Sequence, residues 1–109
     1  MIEKILLDYL AGALDVPVYP HLPPGAPDSC AVLEKTGSGC TDHIFSATVA
    51  VQSYGSTLWQ ALQLNEKVKA AMADADTLED ICAVRLNTDY NFTDTASKRF
   101  RYQAVFDIT

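Results

Sequence analysis

The stretch His43-Ile44-Phe45-Ser46-Ala47-Thr48-Val49-Ala50-Val51-Gln52-Ser53-Tyr54, followed by Gly55-Ser56-Thr57-Leu58-Trp59-Gln60, decides the fold. Phe45, Ala47, Val49 and Val51 fall on one side of an extended chain, and Ser46, Thr48 and Gln52 on the other. That two-residue period predicts a strand with one buried face. Gly55-Ser56 breaks it. Thr57 and Gln60 stand at capping-box spacing, so both side chains can accept from backbone amides that a helix start leaves without partners. A helix over about residues 57–75 should follow, with Leu58, Ala61, Leu64, Val68, Ala71 and Met72 on or near the stripe that covers the sheet.

Upstream, Ser29 to Thr36 reads as a strand, and Gly37-Ser38-Gly39 offers the backbone freedom for a reversal into the strand over 43–54. The five prolines stand at 17, 20, 23, 24 and 27. Proline cannot donate to a ladder, so at most Val18-Tyr19 can pair, as an edge strand, ahead of a stiff extended loop. Before it, Ile2, Ile5, Leu6, Tyr9, Leu10, Ala13 and Leu14 recur at helical spacing and predict an amphipathic helix of about 13 residues, ended by Val16-Pro17. Downstream, Cys82, Val84 and Leu86 alternate with Ala83, Arg85 and Asn87 in a strand over 81–90. Phe100, Tyr102, Ala104, Phe106 and Ile108 share a face of a last strand, after a polar connection over Asn91–Ser97. The expectation is one α+β domain over 1–109: a mostly antiparallel four- to five-stranded sheet, two helices packed on one face, order α-(β)-β-β-α-β-β.

Bulk composition agrees with a folded unit. The chain has 109 residues, 49 % hydrophobic and 20 % charged, enough for one core and outside the disorder regime. A net charge of −6 and a pI near 4.6 argue against a sequence-specific nucleic-acid surface, which needs a clustered basic face. Lys98, Arg99 and Arg101 form the one local basic group, read as a solvated strand face or a partner for acidic neighbours. No run approaches the roughly 20 apolar residues of a membrane span, and Met1-Ile2-Glu3-Lys4 lacks a signal peptide's basic leader, so the chain is expected to be made and kept in a cytoplasm. The 3 cysteines, an odd number, should be reduced thiols.

Catalytic, cofactor and metal chemistry finds no footing, and no catalytic, cofactor-binding or metal residue is assigned. Gly37-Ser38-Gly39 lacks the lysine of a phosphate-binding loop, and Gly55-Ser56 lacks the flanking glycine of a nucleophile elbow. Cys40-Thr41-Asp42-His43, with Cys30 across the expected hairpin, has metal-binding residue types but no fourth zinc ligand at a suitable spacing. His21 stands alone among prolines. Asp74, Asp76, Glu79 and Asp80 resemble a calcium loop only in charge, and Asn91-Phe92-Thr93 matches a glycosylation acceptor that a chain without a secretory signal would not expose to that machinery.

Trp59 is more informative. It falls opposite the core stripe of its helix, so either the proline-rich loop or the first helix covers it, or it meets another subunit. Tyr90 and Phe92, near the tip of the last hairpin, pose the same question. These three are the candidate interface residues.

Val16-Pro17-Val18-Tyr19, the loop through Pro23-Pro24 to Pro27, Cys30-Ala31-Val32-Leu33-Glu34-Lys35 running into Thr36-Gly37, and Ala47 to Tyr54 leading into an alanine-containing helix together resemble the tail terminator, or tail completion, proteins of long-tailed bacteriophages and prophages. The resemblance covers nearly the whole chain and rests on a pattern of elements rather than on catalytic residues. It implies a non-catalytic ring, typically a hexamer, at the tail end of the virion, whose subunits stand in the bacterial host cytoplasm before assembly. Such a ring caps the tail tube, stops its polymerisation and joins the head, so its partners are copies of itself, the tail-tube protein and the head-tail connector protein. Rings of this kind close through heterologous contacts, for which strand edges and a long hairpin are natural places. A head-completion or connector subunit is the neighbouring reading, separable by co-purification with filled heads rather than tubes. A small-ligand-binding α+β module or enzyme is the other, and would need a deep pocket with convergent polar groups.

Overall fold

A central strand, β3 (Ile44–Gly55), carries β2 (Cys30–Thr41) on one side and β5 (Phe100–Ile108) on the other, both antiparallel. The computed structural model describes residues 2–41, 44–79, 81–93 and 99–109. Within these residues α1 (Ile2–Ala13) and β1 (Val18–Tyr19) precede β2. α2 (Leu58–Ala73), a short 3-10 turn (Ala75–Thr77) and β4 (Val84–Asn91) lie between β3 and β5. The strands make a five-stranded sheet in the order β1-β2-β3-β5-β4, in which only the β1–β2 pair is parallel. This is the expected α+β architecture.

Both helices cover one face. Leu6, Leu10 and Leu14 of the α1 segment, and Val68 and Met72 of α2, bury against Leu33, Val49, Val51, Ala104, Phe106 and Ile108. The alternation read from β3 and β5 is what places these side chains together. Tyr9 ties the helices by donating its hydroxyl to the Ala71 carbonyl at 2.7 Å. Burial, then the nearby Asp74 and Asp76 charges, raise its pKa above the ordinary tyrosine value, so the phenol keeps the proton that this bond needs.

Two sequence expectations fail locally. Gly37-Ser38-Gly39 is not the reversal: β2 runs on through it, with Gly37 opposite Thr48, Ser38 opposite Ala47 and Gly39 opposite Ser46, and a bulge between Lys35 and Gly37. Glycine suits a bulge as well as a turn, and the continuing partner strand selects the bulge. The chain reverses only after Thr41. Glycine's left-handed freedom is used instead at Gly25, where φ is 73° and Ala26 N–H bonds the Pro23 carbonyl at 3.2 Å, a Pro-Gly type II turn.

The second expectation concerns the other sheet face, which is not simply solvated. The proline-rich loop folds onto it, packing Tyr19, Leu22 and Ala26 over buried Cys30, Val32 and Tyr54. Burial pushes the Cys30 thiol pKa up, opposed by the Arg99 charge.

The junction from β3 to α2 is tight. Thr57 Oγ1 accepts from Gln60 N–H at 3.1 Å, and Gln60 Oε1 accepts from Ser56 N–H at 3.1 Å, so the capping box closes one residue further back than the usual pattern. A Cβ at Gly55 would lie 2.5 Å from the Ala61 amide nitrogen and 2.9 Å from the Gln60 carbonyl carbon. Both are backbone atoms of the helix and cannot swing aside. Gly55→Ala is therefore expected to destabilise the fold by about 1–3 kcal/mol, read as a lowered urea midpoint at unchanged slope; an unchanged midpoint would show that α2 shifts freely against the sheet.

Candidate assembly surfaces

Trp59 lies in the first turn of α2, where the Thr57 cap fixes the helix start and Ala61, Leu64, Val68 and Met72 take the buried side. It is 65 % exposed, so the proline-rich loop does not cover it. Leu58, expected on the core stripe, is also exposed, as is Phe100, which stands opposite Gly55 in the β3–β5 ladder. The start of α2 and the start of β5 thus share an apolar end of the molecule.

Tyr90 and Phe92 are about two-fifths exposed, yet both are held within the chain. Their rings meet edge to face at 5.7 Å. Arg101 stacks 4.3 Å over the Phe92 ring and donates to the Phe92 carbonyl at 2.6 Å and to Tyr54 Oη at 3.0 Å. Arg99 stacks 4.9 Å over Tyr54 and donates to the Pro27 carbonyl at 2.9 Å. The basic pair, read as a solvated strand face or a partner for acidic neighbours, instead engages carbonyls and aromatic rings: Arg99 joins the loop to the sheet, and Arg101 joins the end of β4 to β3. Lys98 and the rest of 94–98, including most of the expected polar connection, lie outside the described residues.

A row of hydrogen bonds crosses the same face. Gln52 Nε2 donates to Glu34 Oε1 at 3.4 Å and to Gln103 Oε1 at 2.9 Å, and Gln103 Nε2 donates to Tyr90 Oη at 2.5 Å. Further along, Thr48 and Asn87 both donate to the Asp107 carboxylate, at 3.3 and 3.1 Å. This row joins four strands side to side and stiffens the sheet. Sequence reading placed Gln52 on the polar face but not its partners, because pairing across strands is set by register.

The residues with metal-binding chemistry do not converge. Cys30 and Cys40 sit at opposite ends of β2, opposite Tyr54 and Phe45 respectively, so Cys30 is not across a hairpin from Cys40. Asp42, His43 and Asp80 lie outside the described residues. Among the described residues no group of three His, Cys, Asp or Glu side chains could hold a metal ion, and no helix is long and apolar enough to cross a membrane. His21, Asp74, Asp76 and Glu79 are exposed. Asn91 Oδ1 accepts from the Thr93 amide and hydroxyl at 3.0 and 2.6 Å, a local turn after β4.

An open groove of about 780 Å³ runs between the start of α1 and the β2–β3 hairpin. Ile2, Ile5, Ala47 and Ile108 line its floor, with Lys35 and Ser38 also in its wall. Beside it, among the described residues, the outer edge of β2 is paired only where Val18-Tyr19 meet Ala31-Val32. At the opposite margin β4 pairs only inward, with β5. α2 braces that strand: Asp89 accepts from Asn65 Nδ2 at 2.9 Å and from Lys69 Nζ at 3.0 Å. Hydrogen bonds to Glu66 and then Asp89 raise the Lys69 pKa, keeping the ammonium charged. No family model matches the chain, and no curated protein matches it.

The Gln52–Gln103 pair gives a test of the face's rigidity. Gln103→Leu alone leaves the nearly buried Gln52 amide short of an acceptor and should cost about 1–3 kcal/mol. Gln52→Leu with Gln103→Leu should cost less than the sum of the singles, because neither glutamine amide is then left facing a missing partner. Additive losses in a urea-denaturation cycle would show that the two amides are not coupled.

Proposed function

We propose that the chain is a non-catalytic structural subunit that assembles into a ring at the end of a bacteriophage tail. There it caps the tail tube, ends tube polymerisation and offers the surface to which the head joins. The observation that carries this reading is the hairpin of β2 and β3. Its last pairs, Gly39 with Ser46 and Thr41 with Ile44, run past Ile108, the last β5 residue paired with β3, and form a two-stranded arm. Gly39, Cys40 and Ser46 are exposed on it, and the exposure runs back along β2 to Glu34. An arm with no core of its own is marginal alone and is stabilised when another chain covers it. The exposed Trp59 at the far end of the sheet adds a large apolar side chain of the kind that anchors subunit contacts.

The resemblance to tail terminators supplies the virion setting, and the stiff sheet suits a part whose task is mechanical. Head-joining and tube-capping surfaces then lie on the two sides of the ring, with no bond made or broken. Partners on this reading are copies of the chain, the tail-tube protein and the head-tail connector protein.

The test combines the chain with polymerising tail-tube protein. Tubes should end in a ring visible by negative-stain electron microscopy and should stop growing; an unchanged length distribution with bare ends would contradict the reading. Trp59→Ala should weaken assembly, followed by light scattering, about tenfold or more while shifting the melting temperature little. Unchanged assembly with a lowered melting temperature would make Trp59 a folding residue instead.

A further inference from the structure

We propose that subunits join by sheet continuation: β4 of one copy lies antiparallel along residues 33–41 of β2 in the next, seating Leu86 in the groove beside α1. This rests on the reading that the chain assembles with itself. It names the contact.

Strand polarity is the first support. β2–β3, β3–β5 and β5–β4 are all antiparallel, so β2 and β5 run one way and β3 and β4 the other. A neighbour placed side by side in the same orientation therefore presents β4 antiparallel to β2, with helices on the same face of the joined sheet. Length is the second. β4 has 8 residues, and beyond Val32 the outer edge of β2 is unpaired to Thr41 among the described residues. Each edge spans about 30 Å of backbone with outward donors and acceptors.

Side chains fix the register. Both strands carry a bulge, between Lys35 and Gly37 in β2 and between Leu86 and Thr88 in β4. Setting Lys35 beside Asp89 joins the Glu3–Lys35 pair, 3.7 Å apart, and the Asp89–Lys69 pair, 3.0 Å apart, into one row of alternating charge on the helix-bearing face. Gly37 then meets Thr88, Ser38 meets Leu86 and Gly39 meets Arg85, with Thr36 and Asn87 as the extra residues. Every pair agrees in face. Leu86 is 42 % exposed in the single chain, and in this register it stands over Ile2, Ile5, Ala47 and Ile108, the apolar floor of the groove. An unpaired edge, an exposed leucine and an empty apolar groove are thereby used up by one contact. Because β4 and β2 are different surfaces, the contact is heterologous, and repetition with a suitable rotation closes a ring.

Mixing two single variants tests this, each made with Cys40→Ser and Cys82→Ser so that the buried Cys30 is the remaining native thiol. Gly39→Cys and Arg85→Cys chains, mixed and oxidised, should give a disulfide-linked dimer that neither gives alone, since cross-strand neighbours lie within disulfide reach. Outward amides of 33–41 and 84–91 should exchange hydrogen at least tenfold more slowly in the assembled protein than in the monomer. Leu86→Glu should weaken association at least tenfold with the fold retained by circular dichroism. If assemblies form but the mixture yields no dimer and both edges exchange freely, the sheet-continuation contact is wrong and the ring reading stands. If the chain forms no assembly, alone or on tail tubes, the ring reading fails and this contact fails with it.

Discussion

Proline limits how far this sheet can pair. Pro17 and Pro20 bracket Val18-Tyr19, neither can donate a backbone hydrogen bond, and β1 is held to the 2 residues between them. β2, with 12 residues, therefore outruns its outer neighbour, and most of its edge is left to solvent or to another chain. A longer first strand would have closed that edge within the monomer. The same proline-rich segment then doubles back and packs Tyr19, Leu22 and Ala26 over Cys30, Val32 and Tyr54, so the segment that withholds pairing at the edge also supplies cover for the face. Edge and loop are consequences of one composition.

The two faces of the sheet divide the work. Burial against α1 and α2 gives the helix-bearing face its stability, because non-directional apolar contact scales with the area removed from water. On the other face the amides, hydroxyls and guanidinium groups hold neighbouring strands to one another and the loop to the sheet. Hydrogen bonds of this kind add modest net stability but specify register, since each donor has one well-placed acceptor. On the proposed reading, a sheet so fixed would meet its neighbours as a rigid body, and association would depend on edges, the Trp59 end and the groove rather than on rearrangement within the subunit.

Much of this was legible in the residues. The stripe from Ile2 to Leu14, the alternation through Val49 and Val51, the Thr57–Gln60 cap and the two-residue limit on β1 each follow from local stereochemistry, and each is present. The helix wheel put Trp59 off the core stripe but left open whether the loop or the first helix covered it, and its 65 % exposure decides that neither does. What local reading missed is set by distant partners. Gly37-Ser38-Gly39 fits a turn or a strand, and Ser46 to Thr48 decide in favour of the strand. In β4 strict alternation from Val84 would keep Tyr90 on the side of Leu86 and put Asp89 on the other, but the bulge at Asn87 reverses both. That reversal brings Asp89 to Lys69 and Asn65, and Tyr90 to Gln103. Leu58 is exposed although its spacing suits the core stripe, because the sheet ends beneath the first turn of α2 while the periodicity does not. The Arg99 link depends on the loop returning to the sheet, which no short-range pattern encodes.

The claim on which the account turns is that the isolated fold is incomplete and that copies of the chain complete one another. Sedimentation velocity on the unmodified protein across a hundredfold range of concentration tests it most directly. The account predicts a shift from a slow species to one faster boundary of fixed coefficient, the signature of a closed oligomer. A single monomer boundary at every concentration, with tail tubes added as well as without, would contradict it.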